Sequence, residues 1–454
     1  MPADLRSFLE QVQRQEPRGF YRVSREIDPR YEMAAVVTQL EQQRRVPVLL
    51  FERVRGARFP AVVNCFASRE RLARALGVPA AQLPARYQEG VDHPIPPKVV
   101  ERGPVQAVVE AGDAVDLTAL PLMMYHDTDR APYITAGIVF ARDPESGRCN
   151  LSYNRLMLRD RAHLGIFMTV GKHLHEIYSR MEARGRPLPI AIALGNHPAW
   201  ALGALYIGPY QVEEAGIIGG LLGSPLELVA GKTQDVLAPA HAEIVLEAEI
   251  LPHVREEEGP FGEFHGYATA PRPRQVVRVT AITHREDAIY QDVLGGSHRE
   301  HLVLPTIPME ANLDRAVRAV VPTLRAARMA APFTCILSMQ KRFEGQPRSA
   351  ILAAFAAELY LKHVIVVDED VDPGNLGQVL WAMGTRVQAG RDVFIIPAVP
   401  GSNLDPSAER EGIVDKLGID ATAKPSLKEF APRSRVPDDV MARIRLEDYL
   451  PDLK

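Results

Sequence analysis

The chain has 454 residues, of which 46% are hydrophobic and 24% are charged, with a formal net charge of −4. These values are ordinary for a globular protein of two or three domains, and the charge gives no support for binding nucleic acid or an anionic membrane. The three cysteines, Cys65, Cys149 and Cys335, lie far apart, so neither a zinc ribbon nor a disulfide framework is predicted. No apolar run reaches the length of a membrane span, and we expect a reduced, cytoplasmic protein.

Residues 1–105 mix helical patterns with short apolar strands. Apolar residues at helical spacing follow Asp4, which predicts an amphipathic helix capped by Asp4 rather than a signal peptide. Further helices are predicted at 31–43 and 69–76, with a strand at 46–54. The proline-rich stretch 89–104 is typical of a linker or an extended crossing.

The rest of the chain divides into a strand-rich part and an alternating part. Between 106 and 302, strands are predicted at 136–142, 189–195, 242–250 and 275–285, and one helix is predicted at 171–185. From 303 to 434 the pattern alternates, with helices at 308–321, 349–362 and 376–386 and strands at 331–340, 363–370 and 392–398. This alternation indicates an α/β layer. A short polar helix is predicted at 438–450, in the tail 435–454.

Four polar islands occur in the strand-rich part of the chain. Each of them, taken alone, also fits a structural role. They contain Asn150 and Arg155, then His173 and His175, then Glu213 and Glu214, and finally Glu258 and Glu263. Together they offer amide oxygen, imidazole nitrogen and carboxylate oxygen, which suits Mg²⁺ or Mn²⁺ better than a thiolate-bound metal.

The last island is the stretch EEEGPFGEFHGY at 256–267. Gly259 and Gly262 allow positive φ and Pro260 fixes its own φ, so the pattern predicts a tight loop that can aim Glu258 and Glu263 into one cavity. An arginine near two such acids separates their proton affinities, as acid/base catalysis requires. A solvated turn remains the alternative. No GxGxxG, Walker, HExxH or GxSxG motif is present.

Five stretches, in order and spacing, resemble the motifs of the UbiD family of reversible decarboxylases, which use prenylated FMN. They are NLSYNR, GKH, EEAGIIGGLLGSPLELV, EGPFGEFHGY and VIVVDEDVDPGNLGQVLWAMGTR. The resemblance implies a mixed α/β fold in three parts: an N-terminal α/β region (1–105), a split β-barrel-like cofactor domain (106–302) and a C-terminal α/β domain (303–434) with a tail helix (435–454). It also implies a homodimer or higher homo-oligomer, and a flavin prenyltransferase that supplies the cofactor.

The resemblance also assigns residues. It places the ligands of Mn²⁺ (or Mg²⁺) at Asn150, His173 and Glu214, against the cofactor phosphate and with K⁺ nearby. It places a catalytic triad at Arg155, Glu258 and Glu263, in which Glu263 protonates the carbon that loses CO₂ and Glu258 orients Arg155. The residues that it places around the cofactor are Thr135, Ser152, Tyr153, Asn154, Arg155, Lys172, His173, Glu214 and Lys362. Some members carry Gln where Lys172 stands.

The substrate is less determined by the sequence. His298, Arg299 and His301 follow two glycines in a segment that borders the substrate pocket in the family, and they are candidates for binding a second carboxylate or a ring heteroatom. A solvated loop or a subunit contact is the alternative. We expect a furan- or pyrrole-type carboxylate, with a phenolic acid such as 4-hydroxybenzoate or protocatechuate as the alternative. Two further hypotheses are a divalent-metal hydrolase and a catalytically silent subunit.

Overall fold

The computed structural model describes residues 3–425 and 433–450. Thirteen α-helices occur in this part of the chain. They are α1 (Leu5–Gln15), α2 (Glu32–Gln42), α3 (Arg69–Ala75), α4 (Leu83–Asp92), α5 (His173–Glu182), α6 (Pro198–Gly203), α7 (Glu214–Leu222), α8 (Arg299–Val320), α9 (Gln346–Ala357), α10 (Leu376–Arg386), α11 (Ala389–Asp392), α12 (Asp438–Arg443) and α13 (Leu446–Tyr449).

The strands fall into four sheets within the described residues. Those of the first half are β1 (Phe20–Val23), β2 (Val48–Phe51), β3 (Ala61–Val63), β4 (Lys98–Val99), β5 (Val108–Ala111), β6 (Tyr133–Ile134), β7 (Ile138–Arg142), β8 (Cys149–Tyr153), β9 (Leu156–Leu158), β10 (His163–Ile166) and β11 (Leu188–Leu194). Those of the second half are β12 (Glu227–Ala230), β13 (Leu237–Pro239), β14 (Ile244–Glu258), β15 (Arg272–His284), β16 (Tyr290–Gln291), β17 (Leu324–Ala331), β18 (Thr334–Met339), β19 (His363–Asp368), β20 (Val393–Pro400) and β21 (Ile413–Asp420).

A nine-stranded antiparallel sheet forms the centre of the molecule. Its order is β6-β9-β10-β15-β14-β11-β7-β8, and β5 pairs with β15. A four-stranded sheet, β1-β2-β3-β16, and a three-stranded sheet, β13-β12-β4, lie outside it, and the C-terminal sheet has the order β17-β18-β19-β21-β20. Parallel pairing of β18, β19 and β21, with helices between them, is the α/β layer that the alternating pattern predicts.

Three sets of buried apolar side chains fill the interior of the described residues. One core runs from Leu5 to Ala311 and joins the N-terminal helices to the central sheet, and two smaller cores, which begin at Leu313 and at Ile336, fill the C-terminal layer. The predicted boundary near residue 105 therefore does not separate two cores. The division into domains at 105, 302 and 434 stays a prediction, and residues 426–432 lie outside the described residues.

Several predicted elements differ from the structure at their ends. Residues 89–92 of the proline-rich stretch are the last turn of α4 rather than a linker. The helix predicted at 308–321 begins earlier, at Arg299, and contains Pro305 and Pro308. The tail forms two short helices, α12 and α13, instead of one, and residues 451–454 lie outside the described part. The N-terminal prediction is confirmed, because Asp4 accepts a hydrogen bond from the Ser7 amide and caps α1.

Candidate active site

Arg155, in the turn between β8 and β9, joins two glutamates that lie about a hundred residues further along the chain. Its Nε and Nη2 donate to the two carboxylate oxygens of Glu258, at 2.9 Å each, and its Nη1 donates to Oε1 of Glu263. Glu258 and Glu263 are 1% and 7% exposed. Oε2 of Glu263 makes no hydrogen bond with the described residues, and the structure thus brings the three predicted triad residues together with one carboxylate oxygen free.

The surroundings keep the guanidinium of Arg155 charged. Its central carbon lies 4.5 Å from the ring centroid of Phe167 and 4.9 Å from that of Phe261, which is the geometry of a cation–π contact. Burial favours the neutral form, but the hydrogen bonds and charges of the two glutamates prevail and raise the pKa of Arg155 above its usual value. A permanent positive charge therefore faces both carboxyl groups.

Two glycines shape the loop that carries Glu263, for different reasons. Gly259 has φ of +92°, a conformation that favours glycine, as predicted. Gly262 has no positive φ, so that part of the prediction is wrong. Position 262 requires glycine for lack of space instead, because a Cβ there would overlap the ring of His126. The loop after β14 is thus a shaped, buried element rather than a solvated turn.

The three predicted metal ligands converge a short distance along β8 from the triad. Nδ2 of Asn150 donates to Oε1 of Glu214 at 3.0 Å, and Nδ1 of His173 lies 3.8 Å from the same oxygen. The starts of α5 and α7 supply His173 and Glu214. The Leu151 amide donates to the other oxygen of Glu214, which fixes the direction of the carboxylate.

The donor set of this trio fits a divalent cation. The amide oxygen of Asn150 is buried and has no hydrogen-bond partner among the described residues, so it is free to act as a ligand. One amide oxygen, one imidazole and one carboxylate leave open positions of the kind that Mn²⁺ and Mg²⁺ fill with phosphate or water. Within the described ranges, no group of three His, Cys, Asp or Glu side chains is placed to hold a metal ion.

Of the predicted cofactor residues, Ser152, Tyr153 and Asn154 lie between the triad and the metal trio. Ser152 donates to Oδ1 of Asn154 at 2.9 Å, and Nδ2 of Asn154 donates to the carbonyl of Phe167 at the same distance. The hydroxyl of Tyr153 is buried without a hydrogen-bond partner in the described part of the chain. This stretch of β8 therefore links both groups of residues.

The other predicted cofactor residues have different surroundings. The hydroxyl of Thr135 is already engaged with the carboxyl of Asp292 and the carbonyl of Val293. Lys172 is exposed at the N-cap of α5. Lys362 lies in the C-terminal layer, where its ammonium binds Asp405 at 2.7 Å rather than any member of the triad or the metal trio.

The predicted substrate residues stand at the start of α8 and not on a solvated loop. Nδ1 of His298 lies 3.1 Å from Glu41, whose carboxylate also accepts from the Arg299 amide at 2.8 Å. Arg299 and His301 line a cavity of about 890 Å³ between the N-terminal helices, α8 and the C-terminal layer, whereas His298 does not line it. The guanidinium of Arg299 makes no ion pair with a described residue.

The hydrogen bond of His301 indicates which of its ring nitrogens carries a proton. Its Nδ1 lies 3.0 Å from the carbonyl of Gly296, and since a carbonyl only accepts, Nδ1 carries the proton and Nε2 is an acceptor. Burial lowers the pKa of His301, although the charge of Glu263 opposes this. The cavity therefore presents a hydrogen-bond acceptor to a bound molecule.

Sequence reasoning missed several residues of the site. Thr269 accepts a hydrogen bond from Nη2 of Arg155 at 3.3 Å, and Asp292 binds Thr135 and the hydroxyl of Tyr125. Phe264 and Tyr360 line the cavity beside His301. No local pattern distinguishes these residues, although the polar pair Gln291–Asp292 within the otherwise apolar stretch 288–294 was a signal.

Three family descriptions match the chain. They are the N-terminal, Rift-related and C-terminal domains of 3-octaprenyl-4-hydroxybenzoate carboxy-lyase (UbiD), over residues 14–90, 98–298 and 303–421. The chain belongs to the UbiD family. Anhydromevalonate phosphate decarboxylase of Aeropyrum pernix is 35% identical to it over 96% of each chain, and gallate decarboxylase of Lactiplantibacillus plantarum is 31% identical over 96% of this chain and 97% of the relative.

Solved structures of UbiD-class enzymes have the same fold. HmfF of Pelotomaculum thermopropionicum, solved in complex with FMN, is 40% identical, with a TM-score of 0.93 over 98% of this chain and 100% of HmfF. The apo 3,4-dihydroxybenzoic acid decarboxylase AroY of Klebsiella pneumoniae is 31% identical, with a TM-score of 0.91 over the full length of both. The predicted family and mixed α/β fold are confirmed.

Family membership makes the chain a carboxy-lyase, and the metal-hydrolase hypothesis is left without support. Among the described residues, no helix is both long enough and apolar enough to span a membrane.

Proposed function

We propose that this protein catalyses the reversible, non-oxidative decarboxylation of an aromatic or heteroaromatic acid with prenylated FMN. The observation that carries the proposal is the buried group of Arg155, Glu258 and Glu263 beside the trio of Asn150, His173 and Glu214. One solved structure of HmfF contains prenylated FMN and another contains FMN, which supports the same cofactor here. In this proposal Asn150, His173 and Glu214 would hold Mn²⁺ (or Mg²⁺), with K⁺ as a further ion, and the divalent ion would attract the cofactor phosphate.

The bound cofactor supplies the acceptor for the electron pair that remains when CO₂ leaves, which no side chain can supply. Arg155, oriented by its bidentate pair with Glu258, attracts the substrate carboxylate and holds it beside the cofactor. The carbon–carboxylate bond breaks, and the free oxygen of Glu263 donates a proton to the ring carbon. Glu263 is then a carboxylate, which regains its proton from water before the next turnover.

Two residues at the cavity, His301 and Arg299, support a proposal about the groups that the substrate ring carries. The unprotonated Nε2 of His301 suits a ring N–H or a phenolic hydroxyl, because both donate a hydrogen bond. The guanidinium of Arg299, which makes no ion pair with the described residues, suits a second anionic group on the ring. We therefore favour a pyrrole-type acid, or a furan acid with a second carboxylate, in line with the predicted class. The phenolic alternative is favoured by the same acceptor and by the names of two relatives, gallate decarboxylase and 3,4-dihydroxybenzoic acid decarboxylase.

The proposal extends to partners. A flavin prenyltransferase supplies the cofactor in the cytoplasm, and copies of the chain form a homodimer or a higher homo-oligomer. A solved structure of an evolved dimeric form of HmfF supports this assembly.

The test is CO₂ release by protein that has been reconstituted with prenylated FMN, Mn²⁺ and K⁺. The acids are pyrrole-2-carboxylate, furan-2-carboxylate, furan-2,5-dicarboxylate, 4-hydroxybenzoate, protocatechuate and anhydromevalonate phosphate. We expect turnover of an acid with a ring donor or a second anionic group, and loss of the preference for ring donors in His301→Phe. Turnover of furan-2-carboxylate alone contradicts the substrate proposal. Silence of the flavin-loaded protein with every acid contradicts the proposed substrate class.

A further inference from the structure

The segment Tyr125–Asp129 is hydrogen-bonded to the loop that carries Glu263. We call residues 259–266 the acid loop. Oδ2 of Asp129 accepts from the amides of Tyr125 and His126 at 3.0 and 2.9 Å, and Oδ1 accepts from the Gly262 amide at 3.1 Å. Asp129 is 5% exposed, and although burial opposes its charge, the hydrogen bonds from His126 and Gly262 lower its pKa. One buried carboxylate thus binds both segments.

The ring of His126 fills the space between two glycines. A Cβ on Gly262 or on Gly296 would overlap this ring, so only glycine allows the acid loop and the segment before α8 to approach it so closely. On its other side the ring stacks on His298, with centroids 6.1 Å apart and planes at 28°. His126 is therefore a wedge of fixed shape between the acid loop and α8.

The wedge rests on the N-terminal part of the molecule. His298 is held by Glu41, near the end of α2, at 3.1 Å. Phe261, in the acid loop, packs against Gly295 and contacts the ring of Tyr133 with centroids 4.5 Å apart. The part of the acid loop that precedes Glu263 is thus held by contacts of Phe261 and of Gly262.

We propose that Asp129 and His126 are positioning residues, which set Glu263 against the substrate by fixing the adjacent Gly262. This inference rests on the proposed role of Glu263 as the proton donor. The Gly262 amide is one peptide unit from Glu263, and the Glu263 amide is held on the far side by the carbonyl of Tyr267 at 3.0 Å. Release of Gly262 frees one of these two restraints, and a displacement of about 1 Å can cost about 100-fold in rate.

Asp129→Asn is the first test. Three backbone amides now donate to the two carboxylate oxygens of Asp129, whereas asparagine has only one acceptor oxygen. With that single oxygen, the variant side chain binds either the Tyr125 and His126 amides or the Gly262 amide. We expect kcat to fall by about 100-fold while the substrate KM and the flavin and metal content stay unchanged. The Gly262 amide should exchange with deuterium at least about tenfold faster, as a lost hydrogen bond implies. Asp127→Asn, an exposed neighbour, is the matched control and should change neither quantity.

A double-mutant cycle tests the wedge. Gly262→Ala should lower the Tm and kcat, because the new methyl group collides with His126. In a His126→Ala background the space beside Gly262 is free. The free-energy cost of Gly262→Ala, calculated from Tm and from kcat, should therefore be about threefold smaller in that background than in the wild type. Gly384→Ala, whose Cβ would meet nothing within 4 Å, controls for the general effect of alanine at a glycine.

The outcomes separate this inference from the proposed function. Additive effects of Gly262→Ala and His126→Ala on Tm overturn the wedge, and unchanged kcat and unchanged Gly262 exchange in Asp129→Asn overturn the anchor. A third outcome is possible: the variants show coupled effects on Tm and faster Gly262 exchange, but the wild-type protein releases no CO₂ from any acid. This outcome would leave the anchoring geometry standing and overturn the role of Glu263. A raised KM with unchanged kcat would overturn the positioning role, because Asp129 would then support the substrate pocket instead.

Discussion

Glu258 and Glu263 share one guanidinium but hold it differently. Glu258 uses both oxygens and has none left, whereas Glu263 uses one. Glu263→Gln keeps a carbonyl oxygen for Arg155 and removes the transferable proton. We expect CO₂ release, and exchange of the product ring hydrogen with deuterium from the solvent, to fall at least about 100-fold with unchanged flavin content. Glu257→Gln, an exposed acid beside Glu258, is the control, and an active Glu263→Gln enzyme would remove Glu263 from its role.

His173, the predicted metal ligand, and His175 both lie on α5, so substitutions at the two positions can be compared directly. His173 lies 3.8 Å from Glu214, whereas the nearest acid to His175 is Glu176, at 4.0 Å on the helix surface. We expect His173→Ala to lose Mn²⁺ and flavin together, measured by metal analysis and absorbance of the purified protein, and His175→Ala to keep both. Full flavin occupancy in His173→Ala would show that the trio does not hold the cofactor's metal.

The buried carboxyl of Asp292 makes stability depend on pH. Burial raises its pKa to about 7, against an ordinary value of 3.8. As the pH rises from about 4 to 7, the unfolded chain releases this proton while the folded protein keeps it, so the stability contributed by the protonated group is lost. We expect the Tm of Asp292→Asn to fall less than that of wild type between pH 5 and pH 8. Parallel Tm curves for the two proteins would contradict the raised pKa.

At the scale of elements, α1 is fixed to the rest of the molecule by charge as well as by its apolar face. Arg6 donates to both oxygens of the fully buried Glu243 at 2.8 and 2.9 Å and also binds Asp287. Arg6→Ala leaves a buried carboxylate with less compensation, so we expect the free energy of unfolding to fall by roughly 3 kcal/mol. Denaturant titration measures it, and Arg14→Ala, an exposed arginine of the same helix, should change it little. Equal effects of the two substitutions would contradict the anchoring role.

Element types were predictable because apolar periodicity and caps are local signals. The bounds of α10 agree with the prediction at both ends, since Asn375 caps the helix where the pattern begins. The start of α8 was not predictable from propensity, because Pro305 and Pro308 are expected to end a helix rather than to continue one. Packing of Leu304 and Ile307 in the core keeps these turns helical, and such tertiary contacts are absent from a local pattern.

The site residues that belong to sequence motifs were predictable, whereas the contacts that depend on packing were not. Arg155, Glu258 and Glu263 were found through motifs, and they meet across 103 and 108 residues of sequence. The requirement for Gly262 was assigned to φ, but its cause is the ring of His126, which lies far away in the sequence and carries no motif of its own. Nothing in the sequence indicates that contact.

At the scale of the whole molecule, the C-terminal layer exposes apolar side chains that a second copy would cover. Leu376 and Leu380 on α10 are 53% and 65% exposed. If the predicted homodimer forms through this layer, Leu380→Glu places a charge in the interface and should shift the protein to monomers in sedimentation velocity. Val109→Glu, at an exposed apolar position on β5, is the control. A dimer that resists Leu380→Glu would place the interface elsewhere.

The attachment of α1 has a consequence for how the protein is made. Arg6 and its partner Glu243 are separated by 237 residues, and Asp4, the cap of α1, binds Arg285 across 281 residues. A ribosome adds about 5–20 residues per second, so the first helix leaves it roughly 10 to 50 seconds before Glu243 exists. For most of that time its apolar face also lacks later neighbours, such as His197, whose ring contacts Phe8. Fragments that end before Glu243 therefore cannot hold α1 in place by this ion pair.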